Sequence, residues 1–230
     1  MTGTPPSLLP PFWLFFAVKE EAQPFLKSLP SLGWRPEPTA GKGHRFRREG
    51  STLRLFISGM GARSARATWE AAGVQGERPG CVLSCGFAGA LDPVLSVGEL
   101  LCQGNRFCPP LPFEEGRFLS SERVILKAEE KGRLFRESGC RAVEMESALY
   151  HEFCDPLGIP CATLRVISDA ADEDLPLDFG ALTKEDGKIS LPALALDILR
   201  RPSKISALIR LGKNSRLAAR NLSEGLTTLL

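Results

Sequence analysis

The 230-residue chain is 43% hydrophobic and 24% charged, with 22 Gly, 18 Pro and a net charge of +2. That balance excludes a disordered chain and leaves one compact α/β domain, burying roughly 70–75% of its unfolded surface. Seven Cys without a CxxC pair and only two His argue against a zinc site or a disulfide scaffold, and for a reducing cytoplasm. In chain order, residues 1–11 are rich in Pro and Thr and read as an untied leader. Phe12–Val18 is the longest wholly apolar run, far short of the ~20 residues of a membrane span. With no basic residue ahead of it, it reads as a buried strand rather than a signal peptide. Lys19–Leu29 has helical spacing, Leu53–Ile57 is a second strand, and Ser58-Gly59-Met60-Gly61 is a glycine turn before an Ala-rich helix over Ala62–Gly73. Cys81–Ser84 is a short strand followed by a second glycine turn, Cys85–Ala90. Glu99–Cys102 is a strand and Phe107–Gly116 a surface loop. Glu129–Ser138 and Met145–Cys154 are helices around a short Arg141–Val143 strand, and Cys161–Ile167 is a buried strand stopping at Ser168-Asp169.

Strands alternating with helices imply a single domain with a central, mainly parallel mixed sheet flanked by helices. In such sheets ligands sit beyond the carboxyl ends of the strands. That rule gathers Glu20 and Glu21, both glycine turns, Glu144, Met145 and Glu146, and Ser168 and Asp169 at one rim. Neither glycine turn has the phosphate-loop or dinucleotide pattern. Plain alternatives stand beside each member: one carboxylate of AVEMESALY as a helix-start residue, and Asp169 as a helix cap. His151 reads as an ordinary helix residue, and the cysteines as small buried hydrophobes.

Four segments in order, SGMGARSARATWEAA, CGFAGALDPVLSVGELL, AVEMESALYHE and RVISDAADE, resemble the nucleoside phosphorylase/nucleosidase superfamily. The closest pattern is that of methylthioadenosine/S-adenosylhomocysteine nucleosidases, over roughly residues 12–175. The basic tail ILRRPSKISALIRLGKNSRLAARNL is similar to the hopanoid-associated branch, whose members release adenine from adenosylhopane. The resemblance implies a cytoplasmic, cofactor-free purine nucleosidase, homodimeric, cleaving the N-glycosidic bond of a 5′-substituted adenine nucleoside. A purine leaves poorly as an anion, so Asp169 is by similarity the acid, or proton relay, at a nitrogen of its five-membered ring, with Ser168 beside it. That acid needs a raised pKa, which a desolvated strand end supplies. Glu146 matches the residue that grips the ribose hydroxyls and stabilises an oxocarbenium-like sugar. Met145 packs on the sugar, and Ala88 and Gly89 offer backbone contacts to the base. Met60 matches a pocket-lining position, and Glu21 matches the residue that orients the attacking water.

Two positions depart from the pattern: Phe87 replaces a small polar residue, and Val124 stands where an aromatic usually stacks on the purine. The family's phosphorylases place Gly and Arg near the position of KEEAQ, where this chain has acid, which favours water over phosphate. Arg63 and Arg66 keep phosphorolysis open. The competing readings are a phosphate-dependent phosphorylase, a futalosine-type nucleosidase and a non-catalytic nucleoside-binding protein. Binding alone does not need Glu21, Glu146 and Asp169 together. Residues 12–192 form the catalytic domain, and residues 193–230 a basic helical extension of net charge +5 on a body of −3. Without interleaved aromatics the tail is no nucleic-acid binder. It either packs on the domain or makes a peripheral contact with the inner membrane face that reaches a lipid-linked substrate. Gly212 is expected to break its helix.

Overall fold

A computed structural model describes residues 8–39, 41–73, 76–176 and 205–230. The first seven residues of the leader and residues 193–204 of the tail lie outside the described residues.

The first apolar run forms β1 (Phe12–Phe16), every residue of which is buried. Phe12, Leu14 and Phe16 share a core with Ala22 and Phe25 of α1 (Lys19–Ser28) and with Leu222 and Leu226 of α5 (Ile205–Leu229). Trp13 and Phe15 point the other way, against Ala65 and Trp69 of α2 (Ala62–Ala72) and Leu149 and Tyr150 of α4 (Ser147–Cys154). A strand covered on both faces has no solvent side, which is why its sequence does not alternate.

Around β1 the sheet continues with β2 (Arg35–Glu37), β3 (His44–Arg48), β4 (Ser51–Ile57), β5 (Cys81–Ala90), β6 (Leu100–Gly104) and β7 (Glu114–Glu115). Then come β8 (Phe118–Ser120), α3 (Ala128–Ser138), β9 (Ala142–Glu144) and β10 (Cys161–Asp169). The strand order is β2-β3-β4-β1-β5-β10-β6-β7, with β9 paired to the end of β5 and β8 to β9. The four central strands, β4-β1-β5-β10, are parallel, and β3 and β6 flank them antiparallel. This is the mixed, helix-flanked single domain expected from the sequence.

Three differences carry information. The segment Cys85–Ala90, expected as a turn, continues β5: Gly86 is in register with Arg165, Ala88 with Ile167 and Gly89 with Asp169 of β10. Its glycines serve close approach rather than reversal. The β2–β3 ribbon was not expected, because HRFRR carries a single apolar residue, Phe46. Ion pairs from Arg45 and Arg47 to Glu37 hold it across the strands. Finally, α5 runs through Gly212 without a break. One helical glycine costs only about 1 kcal/mol, less than Ala218, Leu222 and Leu226 gain by burial. Along α5, Ala218, Leu222 and Leu226 pack on the domain, while Ile205, Ile209 and Leu217 are exposed.

Candidate active site

Glu21 is the third residue of α1, where a glutamate can reach back to the start of its helix. Its Oε2 accepts the N–H groups of Ala17 (2.9 Å) and Val18 (3.0 Å), and its Oε1 accepts the N–H of Phe87 (2.8 Å). The carboxylate thereby clamps the end of β1 to β5. A Cβ at position 86 would stand 2.7 Å from Oε1, so Gly86 is what admits it. Burial raises the Glu21 pKa, against the pull of the Phe87 N–H and the Arg165 charge. Glu20, gathered at the same rim from the sequence, is exposed.

The paired acids of AVEMES have different tasks. Glu144 ends β9, and its Oε2 accepts the N–H groups of Glu146 (2.9 Å) and Ser147 (2.7 Å) at the start of α4. It is the helix-start residue that one of the pair was expected to be. Arg165 of β10, itself buried, adds Nη2 at 2.7 Å from the same oxygen. Burial works to raise the Glu144 pKa, but Arg165 and the two N–H groups hold it below the usual carboxylate range. Glu146 stands farther from Arg165, at 3.6 Å, and accepts the Gly61 N–H at 2.7 Å. Burial pushes its pKa up to about 7, with Arg165 opposing and the Glu144 charge adding to the rise.

Asp169 closes β10 just past a bulge, since Ile167 is in register with Ala88 and Asp169 with Gly89, leaving Ser168 as the extra residue. Bulges beside functional sites re-aim side chains. Here the Ser168 hydroxyl lies 2.7 Å from Asp169 Oδ1 and 3.3 Å from the Ala88 carbonyl. A Cβ on Gly89 would come within 3.0 Å of Oδ2, so a second glycine of β5 makes room for a carboxylate. No helix starts at Asp169 among the described residues, which removes the cap reading. The surroundings differ from the purely desolvating strand end expected for it. Lys131 of α3, fully buried, places Nζ 2.6 Å from Oδ2.

The structure thus brings together Glu21, Phe87, Ala88, Gly89, Glu146, Ser168 and Asp169 at the carboxyl ends of β1, β5, β9 and β10. Met60 and Met145 are half-buried, the one beside Gly61 and the other beside Glu146. A Cβ on Gly61 would lie 3.9 Å from the end of the Met145 side chain, so the turn and the start of α4 adjoin. Val124 is half-buried on the coil opened by the Ser121 N–H to the Glu144 carbonyl. His151 is tied to Thr163 (Nε2 to Oγ1, 2.9 Å), and all seven cysteines are free, six of them buried. The residues missed in the sequence are the two buried cations beside the site's acids, Arg165 and Lys131. Arg165 lies inside RVISD and could have been suspected as a charge in an apolar strand. Lys131, in the polar run AEEKGRLFRES, gave no signal.

A family described as the phosphorylase superfamily matches residues 101–198. An aminodeoxyfutalosine nucleosidase from Helicobacter pylori is 36% identical over 77 residues, 34% of this chain and 33% of that protein. A 5′-methylthioadenosine/S-adenosylhomocysteine nucleosidase from Treponema pallidum is 28% identical over 127 residues, covering 54% of this chain and 41% of the relative. The chain thus spans well under two thirds of the length of these relatives. The structure of Helicobacter pylori futalosine hydrolase superposes with a TM-score of 0.67 at 19% identity, over 95% of this chain and 96% of that one. The chain has the nucleoside phosphorylase-like fold, and the resemblance to the nucleoside phosphorylase/nucleosidase superfamily is borne out by the family match, which spans AVEMESALYHE and RVISDAADE.

Proposed function

We propose that the protein is a purine nucleosidase that hydrolyses the N-glycosidic bond of a 5′-substituted adenine nucleoside. The observation that carries this reading is how charge is shared at the rim. Arg165 is committed at 2.7 Å to Glu144, and Lys131 at 2.6 Å to Asp169. Glu21 and Glu146 are equally buried, yet neither has a cation as close, and both have raised pKa values. A pocket keeping two such carboxylates is suited to a reaction that creates positive charge, and an oxocarbenium-like ribosyl centre does so.

The roles follow from position. Asp169 takes up a proton from solvent and relays it to a nitrogen of the purine's five-membered ring as the C–N bond breaks. Glu146 holds the ribose hydroxyls and offsets the growing charge. Glu21 orients a water and takes its proton as the new C–O bond forms. The half-buried Phe87, Met60 and Met145 suit an apolar substituent on the 5′ carbon. Water is preferred to phosphate because Glu21 would repel an anion. Arg66 is engaged elsewhere, 3.7 Å from Glu152 and over the Phe153 ring.

The test is incubation with a panel of adenine nucleosides, with and without phosphate, following free base and the sugar product. Adenine and free sugar at equal rates in both buffers is the expected result. Turnover that needs phosphate and yields a sugar 1-phosphate refutes hydrolysis, and no base release from any nucleoside refutes the enzyme reading.

A further inference from the structure

Lys131 lies on α3, and it is the only lysine among the described residues with no exposed surface. Burying an ammonium is costly unless its hydrogens are all engaged. Here all three are: Nζ donates to Asp169 Oδ2 (2.6 Å), to the Ala170 carbonyl (2.7 Å) and to the Glu173 carbonyl (3.0 Å). Only the first of these partners is a side chain of the candidate site. The same helix also receives the chain after β10 at its amino end. Asp174 accepts the Ala128 N–H (2.9 Å) and Lys127 Nζ (2.7 Å), and the Leu175 N–H donates to the Leu126 carbonyl (2.8 Å). Residues 174–175 are therefore anchored without Lys131, which adds the two carbonyl contacts and a fixed charge against one oxygen of Asp169.

We propose that Lys131 is the positioning residue for Asp169. It pins Oδ2, and Ser168 meets Oδ1, so the carboxyl group has one orientation and one path for a proton to the leaving base. Lys131 touches neither substrate nor reacting atoms in this scheme and acts only through Asp169. The inference rests on the proposed role of Asp169 as acid or proton relay. Removing the ammonium should then lower kcat about 10–100-fold, part of the ~10²–10⁴-fold that a placed general acid contributes, with KM within about threefold because base and sugar contacts stay in place.

A double-mutant cycle on adenine release separates this role from simple scaffolding. Lys131→Met, Asp169→Asn and the double variant are compared with wild type, with folding followed by thermal denaturation. If Lys131 acts through Asp169, its replacement costs nothing further once Asp169 is Asn, and the double variant turns over at the Asp169→Asn rate. Should Lys131→Met strand a buried carboxylate and fail to fold, the double variant carries no such charge, and its comparison with Asp169→Asn decides alone. A double variant about tenfold slower than Asp169→Asn, or a folded Lys131→Met with wild-type kcat, overturns the proposal. A wild type that releases no base from any nucleoside instead overturns the functional reading on which it stands.

Discussion

Gly86→Ala puts one methyl group into the space that Glu21 occupies. The new Cβ would lie 2.7 Å from Oε1, 3.0 Å from Cδ and 3.1 Å from Oε2, so the carboxylate must move. It cannot turn freely, because Oε1 holds the Phe87 N–H and Oε2 the N–H groups of Ala17 and Val18. Each buried donor left unpaired costs about 1–3 kcal/mol. Losing the Phe87 bond and weakening the other two predicts a destabilisation of about 3–5 kcal/mol. It also predicts a fall in kcat of about 10²-fold, since the proposed base is displaced. Urea denaturation and single-turnover kinetics measure the two effects. In a Glu21→Ala background the clash is gone, and the same methyl should cost less than about 1 kcal/mol. An equal cost in both backgrounds would place the strain in the β5 backbone and refute the reasoning.

Asp169→Asn keeps the shape of the side chain but cannot donate an acidic proton, so base release should slow by about 100-fold or more while folding is retained. Normal turnover in that variant would remove Asp169 from the chemistry. Glu146 sets a pH dependence whose sign is fixed: its pKa rises from 4.5 unfolded to about 7 folded, so the folded state holds a proton that the unfolded chain has released. Its contribution to stability is present below about pH 4.5 and is lost as pH rises through about 7, by about 3 kcal/mol in all. Glu146→Gln should lose that dependence, seen as a widening gap in denaturation midpoint between variant and wild type from pH 5 to 8; parallel profiles would contradict it. For the exposed half of α5, with Ile205 and Ile209 beside Arg210, Lys213 and Arg216, the expectation is co-sedimentation with anionic vesicles that high salt reverses. Equal binding to neutral vesicles, or none to either, would leave it as surface.

The main helices and the central strands were legible because both signals were strong. β1 is an unbroken apolar run, and α2 has Ala65, Thr68, Trp69 and Ala72 buried on one face. The carboxylates could be gathered because each follows a strand, and the sheet's polarity sends all those ends to one rim. Two things were not legible. The glycines of Cys85–Ala90 look like a turn, since the reason for them is Glu21 and Asp169, 65 residues before Gly86 and 80 after Gly89. The partner of Asp169 was hidden for the same reason. Lys131 sits among charged neighbours on α3, and only the folded chain brings its Nζ to Asp169 at the end of β10.

Arg165 and Lys131 sort the acids. A carboxylate that meets an ammonium or guanidinium at hydrogen-bond distance is already compensated, and Glu144 and Asp169 are in that condition. Glu21 and Glu146 meet mainly backbone N–H groups, which orient them but do not cancel a full charge. Their raised pKa values record the cost of keeping that charge buried. On the proposed reading the cost falls when positive charge appears at the ribosyl carbon between them. The pocket then favours the transition state over the neutral nucleoside without any contact that must tighten. On that reading a cation closer to Glu146 than Arg165, at 3.6 Å, would make the resting protein more stable and the reaction slower.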